Sequence, residues 1–350
     1  MINRNLNHIS NAPVGLQEFR LRLYLILLGL ALSLFTGFSM FTNPSPVEER
    51  MSALEVQHDL TVDRFAVKVS VDKSTIKVVS LNLAHGRKES FSQFLVSESK
   101  TRENLAEIAE FLKRENADIV TLQEADKPSR WSGKFDHVEF LAREAGYSWY
   151  THASHNNNWI ANHGTAVLSY LPIARGYGFD FNPTPPSSRK GFTLAEIELN
   201  PENSNENKIT IDVISVHLDF LSRSRRIEQI KDMVKVLDGR SNPVIVVGDF
   251  NSGWAKGGQE LQAFANKRNL KTYLPGANHL DTYSDTRKDW ILISEEFTFC
   301  QYYNAAEILS DHLAVISEIK LINAKSNPGE CGDGRLIGKS AKTNSQSIRL

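Results

Sequence analysis

Gly248-Asp249-Phe250-Asn251 directly follows the apolar run Val244-Ile245-Val246-Val247. That run, opened by Pro243 and closed by Gly248, has the length and β-branching of a buried strand. Its exit presents an Asp and an Asn two residues apart, a spacing that keeps both side chains on one face while the chain stays extended. A carboxylate and a carboxamide held there can take a proton, orient a water or hold an oxygen-seeking metal ion. The same residue types also build an Asx turn after a strand, so this tetrapeptide alone does not decide between chemistry and turn.

The pattern recurs. Ile76–Leu81 ends in Asn82-Leu83-Ala84-His85-Gly86, and Ala117–Leu122 ends in Gln123-Glu124 after a predicted helix over 101–115. Gly164–Ser169 leads to a turn at Pro172, and Ile209–Val216 ends in His217-Leu218-Asp219. Asp289 opens Asp289–Ser294, and Asp311-His312 stand together in Ser310–Val315. Any one of these fits a turn former or an edge-strand polar residue. Their repetition is the pattern of a mixed α/β protein that gathers its ligands at one end of its sheets.

LNLAHG at Asn82, TLQEAD at Gln123-Glu124, GTAVLSYLPI, VHLD at His217, GDFN, DWILIS and SDHLAV resemble, in order, the motifs of the endonuclease/exonuclease/phosphatase superfamily. They span roughly Lys77 to Ile319. The resemblance implies a four-layered α/β sandwich, with two mostly antiparallel sheets flanked by helices. It also implies metal-dependent hydrolysis of phosphate esters, with Mg²⁺ as the cofactor and Mn²⁺ as an alternative. Carried over residue by residue, Glu124 would be the main metal ligand, supported by Asn82 and by Asp311, directly or through water. Asp289 would fix His312 near the attacking water. His217 and Asn251 would contact the scissile phosphate, and Asp249 would orient or deprotonate the water; either Asp249 or the His312–Asp289 pair would be the base. Thr165 and Trp290 replace commoner family residues, and no site position is lost, which argues against a phosphate-binding pseudoenzyme.

The positions around these motifs supply candidate cations. Arg87 follows LNLAHG, Arg223 and Arg226 follow VHLD, and His163 precedes Gly164. All four are expected on loops at the site, where they could grip a phosphate-bearing substrate. For Arg226 the solvated face of a helix over 225–237 is an equal reading, and His163 also fits a solvated loop residue.

Leu23 to Phe41 is 19 residues without a charge. As a helix it would be roughly 28 Å long, enough to cross a bilayer core. Arg20 and Arg22 precede it and Glu48 and Glu49 follow, which predicts a cytoplasmic N-terminus (1–22), a signal anchor (23–41) and an exported catalytic domain, periplasmic or extracellular. A cleavable signal peptide is the competing reading. A tether over 42–62, a single catalytic domain over 63–322 with a first strand at 65–71, and a disordered tail over 323–350 complete the expected organisation. The segment 184–191 is expected as a surface loop and 201–207 as a hairpin tip.

Of the two cysteines, Cys300 is expected in a buried strand and Cys331 in the tail; export would permit them to pair. The formal net charge is −1, so no global field favours a long polyanion. Tethering favours a phospholipid headgroup as substrate, with exogenous nucleic acid an alternative and a soluble phosphomonoester a third.

Overall fold

The computed structural model describes residues 45–59, 75–158, 160–200, 208–254 and 258–322. The anchor at 23–41, the strand at 65–71, the hairpin tip at 201–207, the tail and Cys331 lie outside the described residues.

Among the described residues fourteen strands form two seven-stranded sheets. The first sheet comprises β1 (Met51–Leu54), β7 (Ile173–Asp180), β8 (Gly191–Leu199), β9 (Ile209–His217), β10 (Val244–Asp249), β12 (Asp289–Ile293) and β11 (Lys271–Thr272), in that order. The second runs β13 (Phe297–Asn304), β14 (Val315–Leu321), β3 (Thr75–Asn82), β4 (Ile119–Asp126), β6 (Asn162–Ser169), β5 (Trp149–Asn157) and β2 (Val56–His58). All neighbours are antiparallel except β3–β4 and β9–β10. Each parallel pair is joined by a helix, as parallel neighbours require: α1 (Glu98–Glu115) and α3 (Arg223–Asp238). The other α-helices among the described residues are α2 (His137–Ala145) and α4 (Gln259–Lys267).

Alternation along the strands builds three cores. Val78, Ile119, Val213, Ile245 and Ile291 meet between the sheets. Their neighbours Val79, Val120 and Leu122 face α1 and α2, while Ile214, Val246 and Leu292 face α3 and α4. The period of two along each strand therefore dictates the four layers.

Local signals set the helix ends. The Ser97 hydroxyl accepts the Lys100 N–H at 3.2 Å, so α1 begins at Glu98 rather than at Thr101. Asn116, with φ +51°, stops it. Two expectations need correction. The described part of the stretch expected as a tether is folded: Met51–Leu54 and Val56–His58 each extend one sheet as an edge strand. Cys300 lies on a strand, β13, but is half-buried rather than buried, and it is disulfide-bonded. Among the described residues no helix is long and apolar enough to cross a membrane.

Candidate active site

Strand register brings the polar exits together. Asn82 pairs with Gln123, Asp249 pairs with both His217 and Asp289, and Val315, just after Asp311-His312, pairs with Ser80. Two backbone irregularities aim the side chains. Glu124 is the extra residue of a bulge between Gln123 and Ala125, with φ +47°. Asn251 has φ +49°, and its N–H reaches back to Asp249 Oδ1 at 2.9 Å, closing an Asx turn. Turn and site therefore coincide at GDFN.

Asp249 is the hub. Its Oδ2 accepts Asn82 Nδ2 and Asn251 Nδ2, each at 3.1 Å, with His217 Nε2 at 3.4 Å and His312 Nε2 at 3.9 Å. Burial, followed by the Asp289 carboxylate, raises its pKa to about 6 against the pull of His312. His312 Nδ1 lies 2.8 Å from Asp289 Oδ2, which also accepts the Thr282 hydroxyl at 2.6 Å. Burial opposes the imidazolium charge, but Asp289 and Asp249 outweigh it and push the His312 pKa up to about 10. The arrangement thus sets a poised carboxylate beside a protonated imidazole.

Glu124 faces a second set of nitrogens. His85 Nε2 stands 3.3 Å from its carboxylate and Lys190 Nζ 3.9 Å. Burial disfavours its charge, yet His85, Lys190 and His217 outweigh burial and hold it far below the usual carboxylate range. His85 in turn bonds Asp126 Oδ1 through Nδ1 at 2.9 Å. Lys190 Nζ lies 3.4 Å from His217 Nδ1. An ammonium can only donate, so Nδ1 accepts and the His217 proton sits on Nε2, facing Asp249. Burial, then Lys190, lowers the His217 pKa well below its ordinary value and keeps the ring neutral.

His85, Asp126 and Lys190 were not singled out from the sequence. Asp126 lies two residues past Glu124 and His85 three past Asn82, inside the very motifs that were read. Lys190 belongs to the segment expected as a surface loop, yet it is only 5% exposed because it immediately precedes β8, whose Gly191 pairs with His217.

Other expected residues sit differently. Arg87 is ion-paired with Asp311, so the two partly satisfy each other at the rim. Arg223 and Arg226 both bind Glu260 on α4, at 2.9 and 3.1 Å, and Arg226 also donates to Asp219 O. They tie two helices together instead of standing free over the site. His163 is buried at the start of β6, not solvated; its ring lies 4.9 Å from that of His85 and its Nε2 3.2 Å from Asn156 Nδ2.

Two groups could hold a cation. Ligand atoms of Asp249, Asp289 and His312 all lie within 4.8 Å of one another. However, His312 Nδ1 is committed to Asp289 and the ring is held protonated, and an imidazolium offers no lone pair. Glu124 is the better fit: an ionised carboxylate, 20% exposed, supplying the oxygen donor that hard divalent cations select. Asn82 fits less directly, since its Oδ1 already accepts the Ala84 N–H at 3.0 Å.

An Endonuclease/Exonuclease/phosphatase family model matches residues 79–312, a span running from β3 to His312. No curated protein sequence matches the chain. Among solved structures, an endonuclease/exonuclease/phosphatase from Beutenbergia cavernae is 18% identical with a TM-score of 0.56, over 71% of this chain and 72% of that one. One from Bacteroides vulgatus is 13% identical with a TM-score of 0.56, over 71% and 99%. The human Nocturnin catalytic domain with bound sulfate is 16% identical with a TM-score of 0.55, over 77% and 98%. At such identities the likeness speaks for the fold, the expected four-layered α/β sandwich. With most of its length matched by the family model, the chain belongs to the endonuclease/exonuclease/phosphatase family, whose members are metal-dependent phosphoester hydrolases.

Proposed function

We propose that this protein is a membrane-anchored, Mg²⁺-dependent phosphodiesterase that works outside the cytoplasm. The observation carrying the catalytic reading is the buried Asp249 carboxylate, raised to about 6 and surrounded by nitrogen donors, at one end of the two sheets. A carboxylate of that pKa is mostly ionised at neutral pH yet basic enough to accept a proton from an attacking water. His312, kept protonated by Asp289, and the Asn82 amide then offer N–H groups to the charge that builds on the phosphate oxygens, while Asn251 Nδ2, bonded to both Asp249 Oδ2 and the Leu218 carbonyl, holds the base in place. His217, with its proton on Nε2, adds a neutral donor. Lys190 lies behind His217, fixes its tautomer and brings a positive charge close to the same centre.

Glu124 would hold the metal, with Asp311 or Asn82 acting through water. The ion, when bound, would supply Lewis-acid stabilisation of the developing phosphate charge; Mn²⁺ would serve the same donor set. His85, linked to Asp126, fixes the Glu124 carboxylate from the side.

The uncharged run at 23–41 supports anchoring, and the charges flanking it support export. The disulfide at Cys300 agrees with an oxidising compartment. Tethering favours a lipid headgroup diester. The experiment is hydrolysis of a generic phosphodiester by the full chain in detergent, with Mg²⁺ or EDTA and an Asp249→Ala control. Metal-dependent cleavage lost in the variant is expected; cleavage unchanged in the variant would refute the assignment. Nicking of plasmid DNA under the same conditions would instead make it an extracytoplasmic nuclease.

A further inference from the structure

Six of the nine exposed large apolar side chains among the described residues lie on loops at the end of the sheets that carries the site. Phe91 (96% exposed), Phe94 (69%) and Leu95 (74%) follow β3, which ends at Asn82. Phe220 (54%) and Leu221 (56%) follow β9, which ends at His217. Ile160 sits on the turn before β6, at the same end. Random scatter of surface apolar residues would not favour one end.

These tips flank the mouth on both sides. Lys190 Nζ lies 5.9 Å from the Phe220 ring. On the other side Phe94 meets Trp131 at 5.0 Å, Trp131 meets His85 at 5.2 Å, and His85 touches Glu124. Trp131 belongs to the loop between β4 and α2, which carries Lys127 and Lys134, with Glu98 packed against its Gly133. Apolar tips interleaved with cations are what the interface of an anionic bilayer accepts: the tips enter the acyl boundary and the cations stay at the headgroups.

The path of the chain points the same way. β1 runs antiparallel to β7, with Met51 opposite Phe179 near the β7 end that leads toward Gly191 and His217. The chain therefore joins the first sheet at the site end. Arg50 is fixed there by Asp232 at 2.8 Å and lies over the Phe179 ring at 5.0 Å. An anchor ending at Phe41 leaves nine residues before β1, a reach of no more than about 30 Å.

We infer that Phe91, Phe94, Leu95, Phe220 and Leu221 form a rim that docks on the surface of an anionic lipid bilayer, turning the catalytic mouth toward the membrane so that it takes diesters presented there. This rests on the proposed anchoring and on the phosphodiesterase reading.

The test is lipid-depth quenching in the full chain, reconstituted in phosphatidylcholine–phosphatidylglycerol vesicles that carry a spin label high on the acyl chain. A fluorophore is placed at Phe91→Cys or, at the opposite end of the domain, at Lys113→Cys on α1. Loss of most of the emission at position 91 and none at position 113 is the expected result. Equal emission at both positions would overturn the rim. Wild-type hydrolysis of a soluble diester, measured on the same vesicles, reports the catalytic reading separately. The Phe91→Ser/Phe94→Ser/Leu95→Ser variant should keep that soluble activity while losing the quenching of a label at Leu221→Cys; quenching retained there would confine contact to the Phe220 side and overturn the two-sided rim.

Discussion

His312 Nδ1 lies 2.8 Å from Asp289 Oδ2, which leaves His312 Nε2 facing Asp249 Oδ2 at 3.9 Å. One imidazole thus stands between two buried carboxylates that cannot both tolerate a neutral neighbour. The pair of shifts follows: His312 stays charged, and Asp249 alone is left near the pH at which a base is useful.

The pH dependence is the first consequence. Burial and Asp289 raise Asp249 to about 6, so the base is protonated and idle below that pH; kcat/KM should rise as pH increases through about 6. Burial resists the charge on His312, but the two carboxylates raise it to about 10, so the donor is lost above that pH and the rate should fall again. A bell with limbs near 6 and 10 is expected with a soluble diester. In Asp249→Asn the residual rate should lack the acid limb; an acid limb that persists would hand the base role to another group.

Lys190→Met probes the buried ammonium. Methionine nearly matches the lysine stem in volume, so the fold should survive. Without the ammonium, His217 Nδ1 loses its donor and the tautomer on Nε2 is no longer imposed. We expect a fall in kcat of about 10²-fold with Tm unchanged or raised. A normal kcat in a folded variant would reduce Lys190 to a structural cation.

The sequence marked the strand exits well because their residues alternate apolar and polar right up to the ligand. Asp249, Asp289 and His312 come together through register, and motifs such as GDFN and SDHLAV carry that register implicitly. Lys190 was hidden for the opposite reason: a Pro- and Ser-rich stretch looks like exposed loop, and only the pairing of Gly191 with His217 shows that its last residue is drawn inside. Residues 51–58 were hidden because each edge strand is too short to display a period. Arg223 and Arg226 were placed at the right end of the sheet, but Glu260, far along the chain, could not be seen to claim them.

Gly248 tests how tightly GDFN is held. Its φ is +142°, and a Cβ there would lie 2.1 Å from Val216 O on the parallel neighbour β9. That oxygen is backbone and cannot swing away. Gly248→Ala should therefore destabilise the protein by roughly 2–4 kcal/mol and displace Asp249, lowering kcat as well. Chemical denaturation with an unchanged midpoint would show that the strand end has room to shift.

Arg226→Ala separates substrate contact from helix docking. The guanidinium is 11% exposed, binds Glu260 and the Asp219 carbonyl, and shares Glu260 with Ser252, whose hydroxyl donates to it at 3.0 Å. Removing it leaves the fully buried Glu260 carboxylate with the half-exposed Arg223 as its remaining cation. An uncompensated buried charge is costly, so about 2–3 kcal/mol of stability should be lost, less than for a fully buried pair because Arg223 stays. At temperatures well below the transition, kcat and KM for a soluble diester should stay within about two-fold of wild type, since the guanidinium is spent on Glu260 and the Asp219 carbonyl. A large rise in KM with an unchanged Tm would instead put Arg226 on the substrate, as its place after VHLD suggested. Glu260→Gln should reproduce the loss of stability without the loss of a cation, which ties the effect to the pairing of α3 with α4.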